Sequence, residues 1–426
     1  MGGWKEVKIK DLGQVVTGNT PPRKQPELYG KHTLFIKPTD INIGEKYCRE
    51  PEECYSEKGF HKYKKSLIPK NATCVVTIGS IGKKMIKSHT DLFINQAMNA
   101  IIPNENYDED FIFYLLKLNL FQLKTFDSGT ASGRENVSKS SFSNIKISVP
   151  KSKGTQRKIA SILSDYDDLI ENNLKRIKLL EEQAQQTYEE WFVRFKFPGY
   201  ENVAFDEESG LPVGWEKVKL GKVIDFRVDN RGRNPKYYLD KGIPVLDNHL
   251  ITNSPYVNLN NAKRFLDDEL FDNFLRKYLE PNDVLITLVG TVGSLALAPK
   301  EKCAIIQNTI GLRCNILCNP YFLFLFLKFN KQSVLNNNRG SAQPSVKVGD
   351  LLSIKMNLPN TNLLDEFKKI CKPIFDQINN LGSQNQHLKE ARDILLPRLM
   401  SGMIDVDGLE VDEQLGMVAE ENEKYN

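Results

Sequence analysis

The sequence predicts an α+β chain: two tandem mixed α/β lobes joined by two long helices that form an antiparallel coiled coil, with a pseudo-two-fold internal repeat. Three observations carry this. Short motifs return after 211 residues: Trp4-Lys-Glu-Val-Lys-Ile as Trp215-Glu-Lys-Val-Lys-Leu, Gly79-Ser-Ile-Gly82 as Gly290-Thr-Val-Gly293, and Gln96 as Gln307. Ser128-Gly-Thr-Ala and Ile145-Lys-Ile-Ser-Val-Pro150 return in the same order, as Arg339-Gly-Ser-Ala and Ile354-Lys-Met-Asn-Leu-Pro359, the last at a spacing of 209. Residues 155–196 hold neither proline nor glycine and carry a seven-residue apolar period. Charge alternates along the chain: Lys+Arg against Asp+Glu is 24 to 16 over residues 1–154, 7 to 12 over 155–209, and 20 to 13 over 210–361.

The elements follow in order. Residues 1–154 form the first lobe, where Cys74-Val-Val-Thr-Ile runs into a glycine turn and reads as a strand. Glu109-Asp-Phe-Ile-Phe-Tyr-Leu-Leu fits a short buried helix, though periodicity alone leaves a strand open. Residues 155–197 form the first long helix, with Thr155 as N-cap and Pro198-Gly199 as stop. Its seam is Ile159, Tyr166, Asn173 and Leu180, interleaved with Leu163, Ile170, Ile177, Ala184 and Trp191. Residues 198–361 repeat the lobe, with Asp283-Val-Leu-Ile-Thr-Leu as the matching strand and Pro320-Tyr-Phe-Leu-Phe-Leu-Phe-Leu as the matching helix. Residues 362–404 form the second long helix, opened by the cap signature Asn362-Leu-Leu-Asp365, with Phe367, Ile370, Ile374, Leu381, Leu388 and Leu395 on its seam. Gln377 and Gln384 fall on the alternate seam positions, Pro373 should kink this helix and Gly382 should weaken it. A narrow seam of about two positions in seven suits a helix paired with another helix better than one lying on its own lobe. An intervening lobe lets two such helices pair antiparallel. Residues 405–426 are an acidic tail with one basic residue against eight acidic.

Composition narrows the function. With 40% hydrophobic and 26% charged residues, the 426-residue chain is neither disordered nor fibrous. No apolar run reaches the ~20 residues of a membrane span. Seven cysteines without the apolar core of a signal peptide at Met1–Glu6 read as reduced thiols in a cytoplasmic protein. Two basic lobes make a polyanion partner plausible on electrostatic grounds. The chemistry search is largely negative. Gly79-Ser-Ile-Gly82-Lys-Lys has two residues between its glycines where a phosphate loop needs four, and its second copy lacks the lysine. Cys314-Asn-Ile-Leu-Cys318 has no second pair, so no metal site is expected. The five histidines do not recur between halves. An adenine methyltransferase would carry an Asn/Asp-Pro-Pro-aromatic tetrapeptide to hold the flipped base, and Asn19-Thr-Pro-Pro-Arg23 fails on order and on the aromatic. No catalytic residue is assigned.

Two basic lobes between long helices, with Gln156-Arg-Lys-Ile-Ala, Trp191-Phe-Val-Arg-Phe and Leu396-Pro-Arg-Leu-Met-Ser-Gly402, resemble the specificity (S) subunit of type I restriction–modification enzymes over essentially the full length. The resemblance implies that each lobe is a target recognition domain reading one half of a split, asymmetric DNA site. It implies that the helices are a spacer that sets the gap and docks two methyltransferase (M) subunits. S-adenosylmethionine would belong to the M subunits, ATP and magnesium to restriction (R) subunits, and no cofactor to this chain. Candidate DNA contacts are basic residues in turn-rich segments: Arg23, Lys24, Lys83, Lys84 and Arg134 in the first lobe, Arg227, Arg231, Arg233, Lys236 and Arg339 in the second. The competing readings are a coiled-coil adaptor that binds only protein, and a stand-alone DNA-modifying enzyme.

Overall fold

The computed structural model describes residues 3–127, 135–232, 235–337 and 344–409. The chain divides into two units, Met1–Glu171 with His387–Asn426, and Asn172–Gln386. Each unit therefore combines one lobe with one stretch of each long helix.

The first unit is built on a four-stranded antiparallel sheet in the order Gly13–Thr17, Met98–Pro103, Thr73–Val76, Met85–Lys87. Thr73-Cys-Val-Val is buried along its whole length, which is why it reads as a continuous run of strand-forming residues rather than an alternating one. Glu109–Asn119 is a helix, which settles the ambiguity between helix and strand. Asp108 caps it, its side chain accepting from the Phe111 amide at 2.9 Å, and Phe111 to Leu116 are all buried. A two-stranded ribbon pairs Trp4–Lys8 with Lys146–Pro150, so the two ends of the lobe meet. A second sheet, Tyr29–Gly30, Glu53–Tyr55, Thr33–Ile36 and Phe93–Ile94, stacks Tyr55 on Phe93 with ring centroids 4.3 Å apart.

The second unit repeats the main sheet and the ribbon, but in place of the other four-stranded sheet it has a two-stranded one, Ile243–Pro244 with Phe265–Leu266. Its main sheet runs Ile224–Val228, Thr309–Cys314, Val284–Thr287, Leu295–Leu297, and its ribbon pairs Glu216–Lys219 with Lys355–Leu358. Pro320–Phe329 is the matching helix, capped by Asn319. The glycine motifs are turns between strands: Gly79, Gly82, Gly290 and Gly293 all have φ between +73° and +87°, open to residues without a Cβ. Asn71 and Asn282 share a φ of +70° at the start of matching strands.

The long helices span Lys153–Tyr188 and Thr361–Met400, about 54 and 60 Å at ~1.5 Å per residue. Their starts differ from the sequence reading. Ser152, not Thr155, caps the first: its Oγ accepts from the Thr155 amide at 3.3 Å, and Gly154 is tolerated in a first turn whose amides lack helical partners anyway. Asn360, not Asn362, caps the second, accepting from the Leu363 amide at 2.9 Å. The first helix ends in a π-turn over Glu189–Val193, where the Arg194 amide donates to Glu189 O. That widened turn lets adjacent Trp191 and Phe192 both be buried. The second helix continues through Pro373 and Gly382. At Gly382 a Cβ would lie 2.7 Å from the Tyr256 ring, so the glycine is where that ring packs on the helix.

Candidate nucleic-acid interface and the helices that carry it

In the second unit the helices run antiparallel: Asn173 lies against Asn385 and Trp191 against Phe367, eighteen residues forward on one and eighteen back on the other. Asn173 Nδ2 donates to Asn385 Oδ1 at 2.9 Å, both residues buried in an otherwise apolar seam. A buried polar pair of this kind fixes register. Around it, Phe192 meets Phe322 and Phe367 edge-on, each at 4.8 Å, and Tyr321 meets Phe375 at 4.9 Å.

In the first unit the helices also run antiparallel, but the seam is completed by charge. Arg392 and Asp167 form an ion pair with side-chain exposures of 1% and 3%. The Tyr114 hydroxyl donates to the other Asp167 oxygen at 2.6 Å. Burial and the Asp167 charge together hold that phenol well above its ordinary range. Nearby, Lys46 and Lys87 converge on Asp110 at 2.9 and 2.8 Å, and Lys46 donates to Ser164 on the first helix at 3.2 Å. Burial alone would lower Lys46, but Asp110 beside it keeps its pKa above the ordinary value. Lys117 lies 3.9 Å from Asp393, and burial outweighs the favourable charge of Asp167 and pulls its pKa down to about 8.

The seam residues named from the sequence fall as follows. Ile159, Leu163, Ile170, Asn173, Ala184, Trp191, Phe367, Ile374 and Leu381 are buried. Tyr166, Ile177, Leu180, Leu388 and Leu395 are half-buried. Ile370 requires correction: it is 41% exposed, and Cys371 takes the inward position. Likewise Ile378 and Asn385, rather than Gln377 and Gln384, face inward, so the second seam is more regular than the sequence suggested.

The lobes present three loops in matching arrangement. In the first unit the Gly79 amide donates to Glu135 O, Val137 to Thr77 O, and Thr77 to Ala97 O, at 2.8–2.9 Å. In the second, Gly290 donates to Pro344 O, Val346 to Leu288 O, and Leu288 to Asn308 O, at 2.7–3.0 Å. The glycine turn, the glutamine turn and the segment entering the last lobe helix are thus locked together identically.

Along the outer edge of strand Gly13–Thr17 the first unit has a cleft of about 420 Å³. Gln14, Asn19 and Tyr63 line it with Lys62, Lys65 and Lys139, and among these described lining residues there is no carboxylate. The equivalent edge of the second unit is Ile224–Val228. There the Lys277 ammonium and the Arg313 guanidinium each lie over the Phe226 ring, at 4.9 and 5.1 Å from its centroid, and Arg227 is exposed. Asn230 is buried and shapes this edge, its carbonyl accepting from the amides of Arg276 and Lys277 at 3.1 Å.

Of the sequence candidates, Lys24, Lys83, Arg227 and Lys236 are exposed. Arg23 is tied to Glu53 and lies over the Tyr29 ring, Lys84 donates to Pro38 O at 2.7 Å, and Arg231 pairs with Asp229 at 2.8 Å. Arg134, Arg233 and Arg339 lie outside the described residues. The cleft lysines were missed. The signal was there in Lys62-Tyr63-Lys64-Lys65, a basic run around an aromatic at the end of a short helix. Among the described residues no group of His, Cys, Asp or Glu is arranged to hold a metal, and no helix is long and apolar enough to cross a membrane. All seven cysteines are free thiols.

The family model for the type I restriction modification DNA specificity domain matches residues 1–182 and again 212–390. The chain is 27% identical over 418 residues to the type I restriction enzyme MjaIX specificity subunit of Methanocaldococcus jannaschii, covering 95% of this chain and 94% of that one. It is 28% identical over 188 residues to the HindI specificity subunit of Haemophilus influenzae, covering 42% and 39% of the two chains. The crystal structure of a type I restriction–modification S subunit from M. genitalium superposes with a TM-score of 0.55 at 16% identity, covering 93% of this chain and 96% of that one.

Proposed function

We propose how this chain works from its family: it belongs to the type I restriction–modification DNA specificity subunits, and its role is to supply DNA sequence specificity. The carrying observation is that the family model matches twice, once per lobe, across the repeat. In our reading residues 1–154 and 198–361 are the two target recognition domains, each reading one half of a bipartite asymmetric site. Residues 155–197 and 362–404 are the spacer helices, which set the gap and dock two methyltransferase subunits, with 405–426 as a tail. The halves are related by a pseudo-two-fold repeat. Moving Asn173 by 211 residues lands next to Asn385, its own hydrogen-bond partner.

The chain itself is non-catalytic in this account. S-adenosylmethionine would be held by the methyltransferase subunits, ATP and magnesium by restriction subunits, and the complex would work in the cytoplasm on double-stranded DNA. Mixing the full-length chain with methyltransferase subunits, S-adenosylmethionine and DNA tests this. The expected result is adenine methylation within a split site by a complex holding two methyltransferase subunits per chain. Methylation by the pure chain, or one methyltransferase subunit at saturation, would contradict it.

A further inference from the structure

Two lobes that serve one kind of catalytic partner but read two different half-sites impose opposite demands on the repeat. Whatever meets the shared partner, or merely holds the lobe together, should be the same in both copies. Whatever reads bases should differ. The three locked loops share the same three backbone hydrogen bonds between them. The outer edge strand of each four-stranded sheet changes both its side chains and its local backbone. By pairing register, Gln14 and Val15 in the first unit stand where Phe226 and Arg227 stand in the second, and Asp225 is the extra residue of a bulge that the first unit lacks.

We propose that this edge strand and the basic segment beside it are the reading face of each lobe, with the first-unit cleft as the contact for its half-site. The proposal rests on the DNA-specificity reading above. The chemistry fits a duplex. Lys62, Lys65 and Lys139 give the cleft net positive charge suited to phosphates. Exposed Gln14 and Asn19 are amides, the side chains that pair bidentately with adenine in a major groove wide enough to admit β-structure. In the second unit exposed Arg227 and Arg276 offer the guanine-reading chemistry instead. The two lobes should therefore prefer different bases while docking alike.

The test uses the full-length chain assembled with methyltransferase subunits, on a plasmid library with randomised positions and on defined duplexes over a range of salt. The double variant Q14A/N19A should lose roughly ten- to a hundred-fold selectivity at one or two base pairs of one half-site, with the other half and the gap unchanged. The double variant K62A/K65A should methylate the same site but bind more weakly, with a log–log salt slope smaller by about two. Thermal unfolding of both variants checks that the lobe is intact. Assembled variants with unchanged site, affinity and salt slope would overturn the proposal, as would loss of methyltransferase binding, which would make the cleft a protein contact. Failure of the underlying reading would look different: the unmodified complex would methylate no split site.

Discussion

The two units fasten a lobe to the helix pair with the same backbone and different chemistry. In the second unit Tyr321, Phe322, Phe367 and Phe375 interlock, and Ile378 is fully buried. In the first, the repeat puts Asp110 where the second has Tyr321, Tyr114 where it has Leu325, and Asp167 where it has Ile378. By the same 211-residue offset Arg392 corresponds to Glu181, which in the second unit is only half-buried and pairs with Lys328 at 3.6 Å. An apolar joint gains from area and tolerates small shifts, whereas a buried ion pair stabilises only in one geometry and is costly when half removed. The first lobe thus adds a buried ion pair to the apolar packing of Phe111 and Leu115 with Leu163 and Leu396, whereas the second joint is apolar at the matching positions.

This contrast can be broken in measurable steps. R392A leaves Asp167 buried without its cation and should cost about 3–5 kcal/mol in unfolding free energy. The double variant D167L/R392L, which makes the first joint resemble the second, should recover most of that loss. F367A should cost a similar 3–5 kcal/mol through the cavity it opens, and no partner change should rescue it. N385L strands the Asn173 amide in the seam and should cost about 1–3 kcal/mol, largely recovered in N173L/N385L. Lys117 tests the polar joint from the other side. Its pKa of about 8 against an ordinary 10.5 means the unfolded chain binds the proton more tightly, so its burial costs stability at neutral pH and the cost fades between pH 8 and 10.5. K117M should therefore stabilise the protein by about 1–3 kcal/mol at pH 7, with the gain vanishing above pH 10.5. Denaturant titrations across pH read all of these.

How far the sequence reaches follows from the same contrast. The repeat was legible because the motifs it preserves are backbone devices: Gly79 and Gly290 need positive φ, and the Trp4 and Trp215 segments open matching ribbons. The lobe helices were legible as apolar runs but ambiguous in type, and capping by Asp108 and Asn319 decided them. The seam of the second helix was placed one residue early at Ile370 because isoleucine looks more apolar than cysteine. The structure steps four residues from Phe367 to Cys371 and three to Ile374. The ion-pair joint was illegible, since Asp167 and Arg392 on a helix read as solvated charges until a partner 225 residues away is known. The cleft was legible only in part: Lys62-Tyr63-Lys64-Lys65 is a basic run in the sequence, but only folding brings it and Lys139 to strand Gly13–Thr17.

The central claim is that the two lobes read DNA independently, and lobe exchange tests it most directly. Residues 1–154 are replaced by the corresponding lobe of another family member, the chain is assembled with methyltransferase subunits, and methylated adenines are mapped by sequencing. The account predicts that one half of the split site changes while the other half keeps its sequence. A site that changes in both halves, or in neither, would contradict it.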